Sequence, residues 1–260
     1  MSYIKSCVLC PVSRVPNPYL CTMLHKTRGI VFRATKYSET SIIVKIFTEK
    51  FGIQTYIING ARSSKSKSKA VYYQHGNLLD LVVYYKETGN IMRINDANFF
   101  YAYKELPFHI VKSSLLLFYI EVINKTIKEH EAYPELFHFL FEIFVELDET
   151  DKQLSNHHIW FLLALSKYLG FYPSVSERKY FDLREGLFTD NIPTYSNYIS
   201  EQMSEVLRKI INPELKNYDQ IKISTVERKK LLAYLLDYYR LHLPEFGEIR
   251  SIQILEDLFR

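Results

Sequence analysis

The chain has 260 residues, 47% of them hydrophobic and 24% charged, which excludes a disordered polymer and leaves apolar material for a sizeable core. No two of its eight glycines are spaced to build a G-x-x-x-x-G-K-[ST] phosphate loop or a G-x-G-x-x-G dinucleotide turn. The net charge of +4 conceals a split: residues 23–103 carry twelve Lys or Arg against five Asp or Glu, and residues 104–260 carry nineteen against twenty-four. A basic first half points to a polyanionic partner for that half. The longest apolar runs, Leu115 to Ile120 and Ile159 to Leu165, fall far short of the roughly 20 residues that span a bilayer, so the chain reads as soluble, and 238 residues without cysteine fit a reducing, cytoplasmic compartment.

Residues 1–22 differ from the rest. Pro11, Pro16 and Pro18 break any helix, and no apolar signal-peptide core is present. The stretch reads as a flexible N-terminal extension, with Met23 the expected native start. Cys7, Cys10 and Cys21 resemble three zinc ligands with His25 as the nearest fourth. Ordered structural zinc sites seldom sit in short Pro-rich arms, so no metal is expected there or in the body of the chain, which has no cysteine.

From Lys26 the pattern is β. Thr27–Thr35, Thr40–Thr48 and Ile53–Asn59 are rich in β-branched and aromatic residues, and Ile42, Val44 and Ile46 alternate onto one face. Residues 60–76 abandon β character. Leu78–Lys86 and Asn90–Tyr103 resume it across a hairpin turn at residues 87–90. Five strands with a long insertion after the third predict a small OB-type barrel over residues 23–104.

The remainder, 105–260, reads as an all-α domain. Helices are expected at 108–128 behind Pro107, from Pro134 to about 147, and at 156–169 up to Gly170. Further helices are expected at 198–211 and from the capping box Ser224-Thr225-Val226-Glu227 to Leu243, with a last short one at the end of the chain. Tyr180–Phe188 interrupts them as a short irregular hairpin turned at Glu185-Gly186. The fold class is therefore α+β.

No catalytic set emerges. His130-Glu131 would need a histidine at 134 to bind zinc on a helix, and that position is Pro134. His157 and His158 are adjacent, so they diverge on a helix and read as surface or interface residues. Glu142, Glu146, Asp148, Glu149 and Asp151 could suggest a metal-dependent nuclease, but they read first as a solvated acidic loop. A non-enzymatic binding protein is favoured. Arg62, Lys65, Lys67 and Lys69 alternate with serines in an insertion that reads as mobile and solvated and is suited to phosphate contacts, and Arg33, Lys36 and Lys45 extend the path. Tyr37, Tyr56, Tyr72 and Tyr73 are candidates for base stacking, or for barrel core and rim.

Gly29-Ile30-Val31, Tyr37-Ser38-Glu39-Thr40-Ser41 and Phe47-Thr48-Glu49-Lys50-Phe51-Gly52 follow in order. Gly60-Ala61-Arg62, Ser66-Lys67 and Gln74 come next, ahead of helices that open near Pro107. In that order and spacing they resemble the RecO family of recombination mediators. Leu169-Gly170-Phe171, and the stretch from His242-Leu243 to Arg250-Ser251, echo the family's second domain. The resemblance implies an OB domain followed by a helical domain, binding of single- and double-stranded DNA, and annealing of strands coated by single-strand-binding protein. It also implies action with RecR in loading RecA, at the nucleoid, without catalysis.

The acidic tail of single-strand-binding protein would be a partner of the helical domain. Lys167, Arg240, His242 and Arg250 are its candidate contacts. Many family members hold zinc in the helical domain with four cysteines; here residues 172–198 contain neither Cys nor His. Either aromatic packing by Tyr180, Phe181 and Phe188 holds that insert, or it is mobile. The alternative function is an OB-fold RNA-binding or translation-associated module.

Overall fold

The computed structural model describes residues 23–61, 67–86, 90–128, 131–211 and 218–259. The expectations for residues 1–22, Arg62 and Lys65 fall outside the described residues.

β1 (Met23–Lys36) is long enough to serve two neighbours. Its first half pairs antiparallel with β4 (Leu78–Tyr85), and its second half with β2 (Ile42–Thr48). β2 pairs with β3 (Gly52–Ile58), and β3 runs parallel to β5 (Met92–Tyr101), which returns to β4. The sheet closes in the order β1-β2-β3-β5-β4, the expected OB-type architecture. Closure forces β2 and β4 together across Gly29, where a Cβ would lie 2.7 Å from both Ile46 and Leu81 side chains. Only glycine fits there. Val31, Val44, Ile46, Tyr56, Leu79, Leu81 and Val83 fill the interior.

The end of the basic insertion is helical rather than a loop. Lys67–Tyr72 forms α1, and Tyr73, buried in the barrel core, ties down its end. A stretch of alternating Lys and Ser has no apolar period to announce a helix, so the pattern concealed it.

The helical half consists of α2 (Ile110–Thr126), α3 (Pro134–Glu149), α4 (His157–Tyr168), α5 (Glu201–Ile211), α6 (Thr225–His242) and α7 (Ile252–Leu258). The Ser224–Glu227 capping box is formed in both directions at the start of α6. Ile30, Phe32, Phe47, Ile53 and Leu78 of the barrel turn outward into the helical core, where Phe47 meets Phe137 at 5.7 Å. Arg28 bridges the same seam: it pairs with Glu49 at 2.7 Å and stands 5.2 Å from the Phe141 ring.

The insert is a three-stranded sheet rather than a hairpin. β6 (Tyr180–Asp182) pairs with β7 (Leu187–Thr189) and with β8 (Tyr198–Ile199), so helix resumes at Glu201 and not at Tyr198. Ser204 fixes β8 against β6: its hydroxyl accepts the Phe181 N–H and donates to the Ile199 carbonyl. Aromatic packing holds the insert. Phe181 and Phe188 are buried edge to face at 4.9 Å, and Tyr238 closes over Phe181 at 5.7 Å. Tyr180 contributes less, half-buried with its ring 6.1 Å from Tyr198.

Two further expectations are corrected here. His157 and His158 are buried, at 0% and 2% exposure, and face the core rather than solvent. Asp148 is also buried and takes no part in a solvated acidic loop. It caps the backbone entering α2, a tertiary role that an acidic run does not reveal.

Candidate nucleic-acid interface

The pairing of β1 with β2 slips by one residue. Val31 faces Ile46 and Arg33 faces Lys45, so Phe32 is the extra residue of a bulge. A bulge frees backbone groups from the ladder and re-aims them. The Phe32 carbonyl accepts the side-chain amide of Asn124, from α2, at 3.1 Å. It also lies 3.1 Å from His75 Nδ1. A carbonyl can only accept, so Nδ1 carries the proton and the neutral ring keeps a lone pair on Nε2. Burial, and then Arg33, push the His75 pKa down, which keeps the ring neutral. Asn124 Nδ2 also donates to the Ile120 carbonyl at 2.8 Å, so its Oδ1 is an acceptor.

Beyond the bulge, Arg33 is exposed and its cross-strand partner Lys45 is half-buried. Burial lowers the Lys45 pKa, and repulsion from Lys128 and Arg33 lowers it further. Cations from the barrel and the helical half are thus gathered closely enough to feel one another, which raises the local attraction for an anion. Arg33 and Lys45 border a groove of about 600 Å³ between β1, β2, α2 and the start of α7, while Lys128 is paired with Glu245. Leu117, Ile120 and Ile254 give the groove an apolar lining, and Arg33, Lys45, Lys125 and Arg250 stand around it.

Glu121 also lines the groove, and its partners line it too: its carboxylate lies 3.9 Å from Lys125 Nζ. It accepts the Arg250 and Ser251 N–H groups at 2.9 and 2.8 Å, and the Ser251 hydroxyl. Burial opposes its ionisation, but these hydrogen bonds outweigh it and hold the carboxyl below its usual range. Lys125 donates to the Glu248 carbonyl, which ties the segment before α7 to α2.

Along the barrel, the row Arg33–Lys45–Thr55 crosses three strands, and Thr35–Ile43–Ile57–Arg93 runs beside it. Lys36 ends β1, exposed, next to Tyr37 at 61% exposure. Lys67 and Lys69 lie on α1. Of the four tyrosines, Tyr37 is open to solvent and Tyr72 is half-buried against Phe99 at 4.7 Å. Tyr56 and Tyr73 are barrel core and cannot stack on a base: strand alternation turns Tyr56 inward on β3, and Tyr73 is buried just past the end of α1. Sequence reasoning missed Arg93, Lys125, Lys128 and His75. Arg93 had a signal, as an exposed cation on a predicted strand; the other three are gathered only by tertiary packing.

The four cations assigned to a partner tail have separate surroundings. Lys167 is exposed in the last turn of α4. Arg240 pairs with Asp237 at 2.6 Å and donates to the Gly247 carbonyl at 3.3 Å. His242 Nε2 donates to the Leu183 carbonyl at 3.1 Å, and its ring stacks on Phe171. Arg250 alone of the four lines the groove. Among the described residues no group of three or more His, Cys, Asp or Glu could hold a metal ion, and no helix is long and apolar enough to cross a membrane.

Residues 23–103 match the family model described as recombination protein O N terminal, and residues 107–248 match recombination protein O C terminal. The chain is 31% identical to DNA repair protein RecO of Phocaeicola vulgatus, over 91% of this chain and 100% of that one. It is 33% identical to the RecO of Flavobacterium psychrophilum and 34% to that of Flavobacterium johnsoniae, each over 90% of this chain and 98% of the relative.

Proposed function

The chain belongs to the RecO family of DNA repair proteins, and from that premise we propose that it is a non-enzymatic recombination mediator. It binds single- and double-stranded DNA, anneals complementary strands coated by single-strand-binding protein, and with RecR promotes the loading of RecA. It acts in the cytoplasm, at the nucleoid. The observation that carries this reading is the cationic row through Arg33 and Lys45, continued by Lys125, Lys128 and Arg250 of the helical half. Cations on one face of an OB-type barrel neutralise phosphates and release counterions whatever the sequence, which is what a strand-annealing protein requires. Lys36, Arg62, Lys65, Lys67 and Lys69 are assigned to phosphate contact as well, from their charge and their position in the sequence.

The acidic tail of single-strand-binding protein is the partner we assign to the helical half, with Lys167, Arg240, His242 and Arg250 as its contacts. Charge reversal at Arg240 should weaken binding of a tail peptide and spare binding of naked DNA.

An annealing assay tests the main reading. Complementary strands coated with single-strand-binding protein should anneal faster with the protein than without it, and an equal mass of RNA should compete poorly. No acceleration, or a preference for RNA, would overturn the mediator reading.

A further inference from the structure

We propose that the groove between the barrel and α2 is a pocket for one unstacked base of a single strand. The strand's phosphates would lie on Arg33 and Lys45 on the barrel side and on Lys125 and Arg250 on the helical side. The inference rests on the DNA-binding reading above and deepens it.

Three features require a ligand that is at once anionic, apolar-faced and a hydrogen-bond donor. Four cations, Arg33, Lys45, Lys125 and Arg250, stand against the single carboxylate of Glu121, so the groove favours an anion that reaches both its barrel side and its helical side. The lining includes Leu117 and Ile254, exposed at 45% and 43%, whose apolar surface a phosphate alone would leave wet. Asn124 Oδ1 and His75 Nε2 are both acceptors on the groove wall, fixed by the two hydrogen bonds to the Phe32 carbonyl. An exocyclic amine of a base offers N–H donors that suit such acceptors.

An acidic peptide would satisfy the rim and the lining. Its backbone N–H groups would also suit the two acceptors, but the exposed cations continue along the barrel to Lys36 and Arg93, which matches the repeating phosphates of a strand rather than the few charges of a tail. A nucleotide carries its charge on the phosphate and its donors on the base, so each feature meets its complement. The bulge at Phe32 is what builds the wall: without it the carbonyl would stay in the ladder, and neither acceptor would be fixed. A volume of about 600 Å³ is ample for one base.

The test uses an oligothymidine with one central 2-aminopurine, a fluorescent base with an exocyclic amine. Binding is followed by anisotropy of an end label, and base insertion by 2-aminopurine emission, which rises as the base leaves its neighbours. Leu117→Gln and Ile254→Gln alter the lining without adding charge. Val226→Gln, at an exposed position on α6, is the control. The native protein and the control should raise the emission on binding.

In the two groove variants the rise should disappear and affinity should fall about tenfold, with melting temperatures unchanged. Normal anisotropy with no emission change in the native protein would overturn the pocket and leave the DNA-binding reading intact. No anisotropy change at all would defeat that reading and the pocket with it. Groove variants that lose an acidic tail peptide but bind the oligomer normally would assign the groove to the peptide instead.

Discussion

The carboxylate of Asp148, at the end of α3, accepts the backbone N–H of Leu106 at 2.6 Å. It also takes the N–H groups of Lys104 and Glu105, each at 2.9 Å, and the hydroxyl of Tyr101 at 2.9 Å. One buried side chain thereby fixes the segment that leaves the barrel against α3 of the helical half. Burial opposes its charge, but the hydrogen bonds from Lys104, Leu106 and Glu105 outweigh burial and hold its pKa below the usual carboxylate range. Asp148→Ala takes the acceptor from three N–H groups, of which that of Leu106 is buried, and should cost about 1–3 kcal/mol in denaturant unfolding. Because the folded pKa is depressed, this contribution is present above about pH 4 and is lost as pH falls further.

His157 and His158 should make the protein acid-sensitive at a higher pH. Burial pushes both pKa values down to about 3, with Lys152 and Arg228 respectively adding to the effect. Both are neutral in the folded protein and take up protons on unfolding, so their contribution is full above about pH 6.5 and declines as pH falls toward 3. Stability should drop by about 1.4 kcal/mol per pH unit for each histidine across the middle of that window. His158→Phe, which keeps a ring beside Phe259, should halve the slope. A slope equal to that of the native protein would contradict the assignment.

Gly186 has φ +68°, and a Cβ there would lie 2.6 Å from the Tyr238 hydroxyl. Gly186→Ala should therefore cost about 1–3 kcal/mol, through backbone strain and displacement of Tyr238. Phe181→Ala should cost about 3–5 kcal/mol, because it empties the centre of the insert. A chelator should leave the melting temperature of a chain starting at Met23 unchanged. A chelator-induced drop would show that metal, and not aromatic packing, holds the insert.

The barrel was legible in the sequence because period-two alternation in Ile42, Val44 and Ile46 leaves little choice of face. The ends of α4 and α6 were legible because Gly170 and the Ser224–Glu227 box act locally. α1 was hidden, since six residues beginning Lys-Ser-Lys have no apolar stripe to show. β8 was hidden because a two-residue strand depends wholly on its partner. Within the site, Arg33 and Lys45 could be named from strand position and charge. The bulge at Phe32 could not, because an extra residue in a ladder depends on both strands. Asp148 lay unseen in an acidic run, since burial is not written in composition. Lys125 and Arg250 are 125 residues apart in sequence and share a groove only because α7 folds back onto α2.

The salt dependence of single-strand binding tests the central claim most directly. Each phosphate neutralised contributes close to one unit of slope, about 0.7 on a single strand. The Arg33→Ala, Lys45→Ala double variant should bind more weakly with a slope shallower by about 1.4, and its melting temperature should be unchanged. Replacing Arg62, Lys65, Lys67 and Lys69 as well should lower the slope by up to about 3 more. A native slope in the double variant would place the phosphates away from this face and contradict the account.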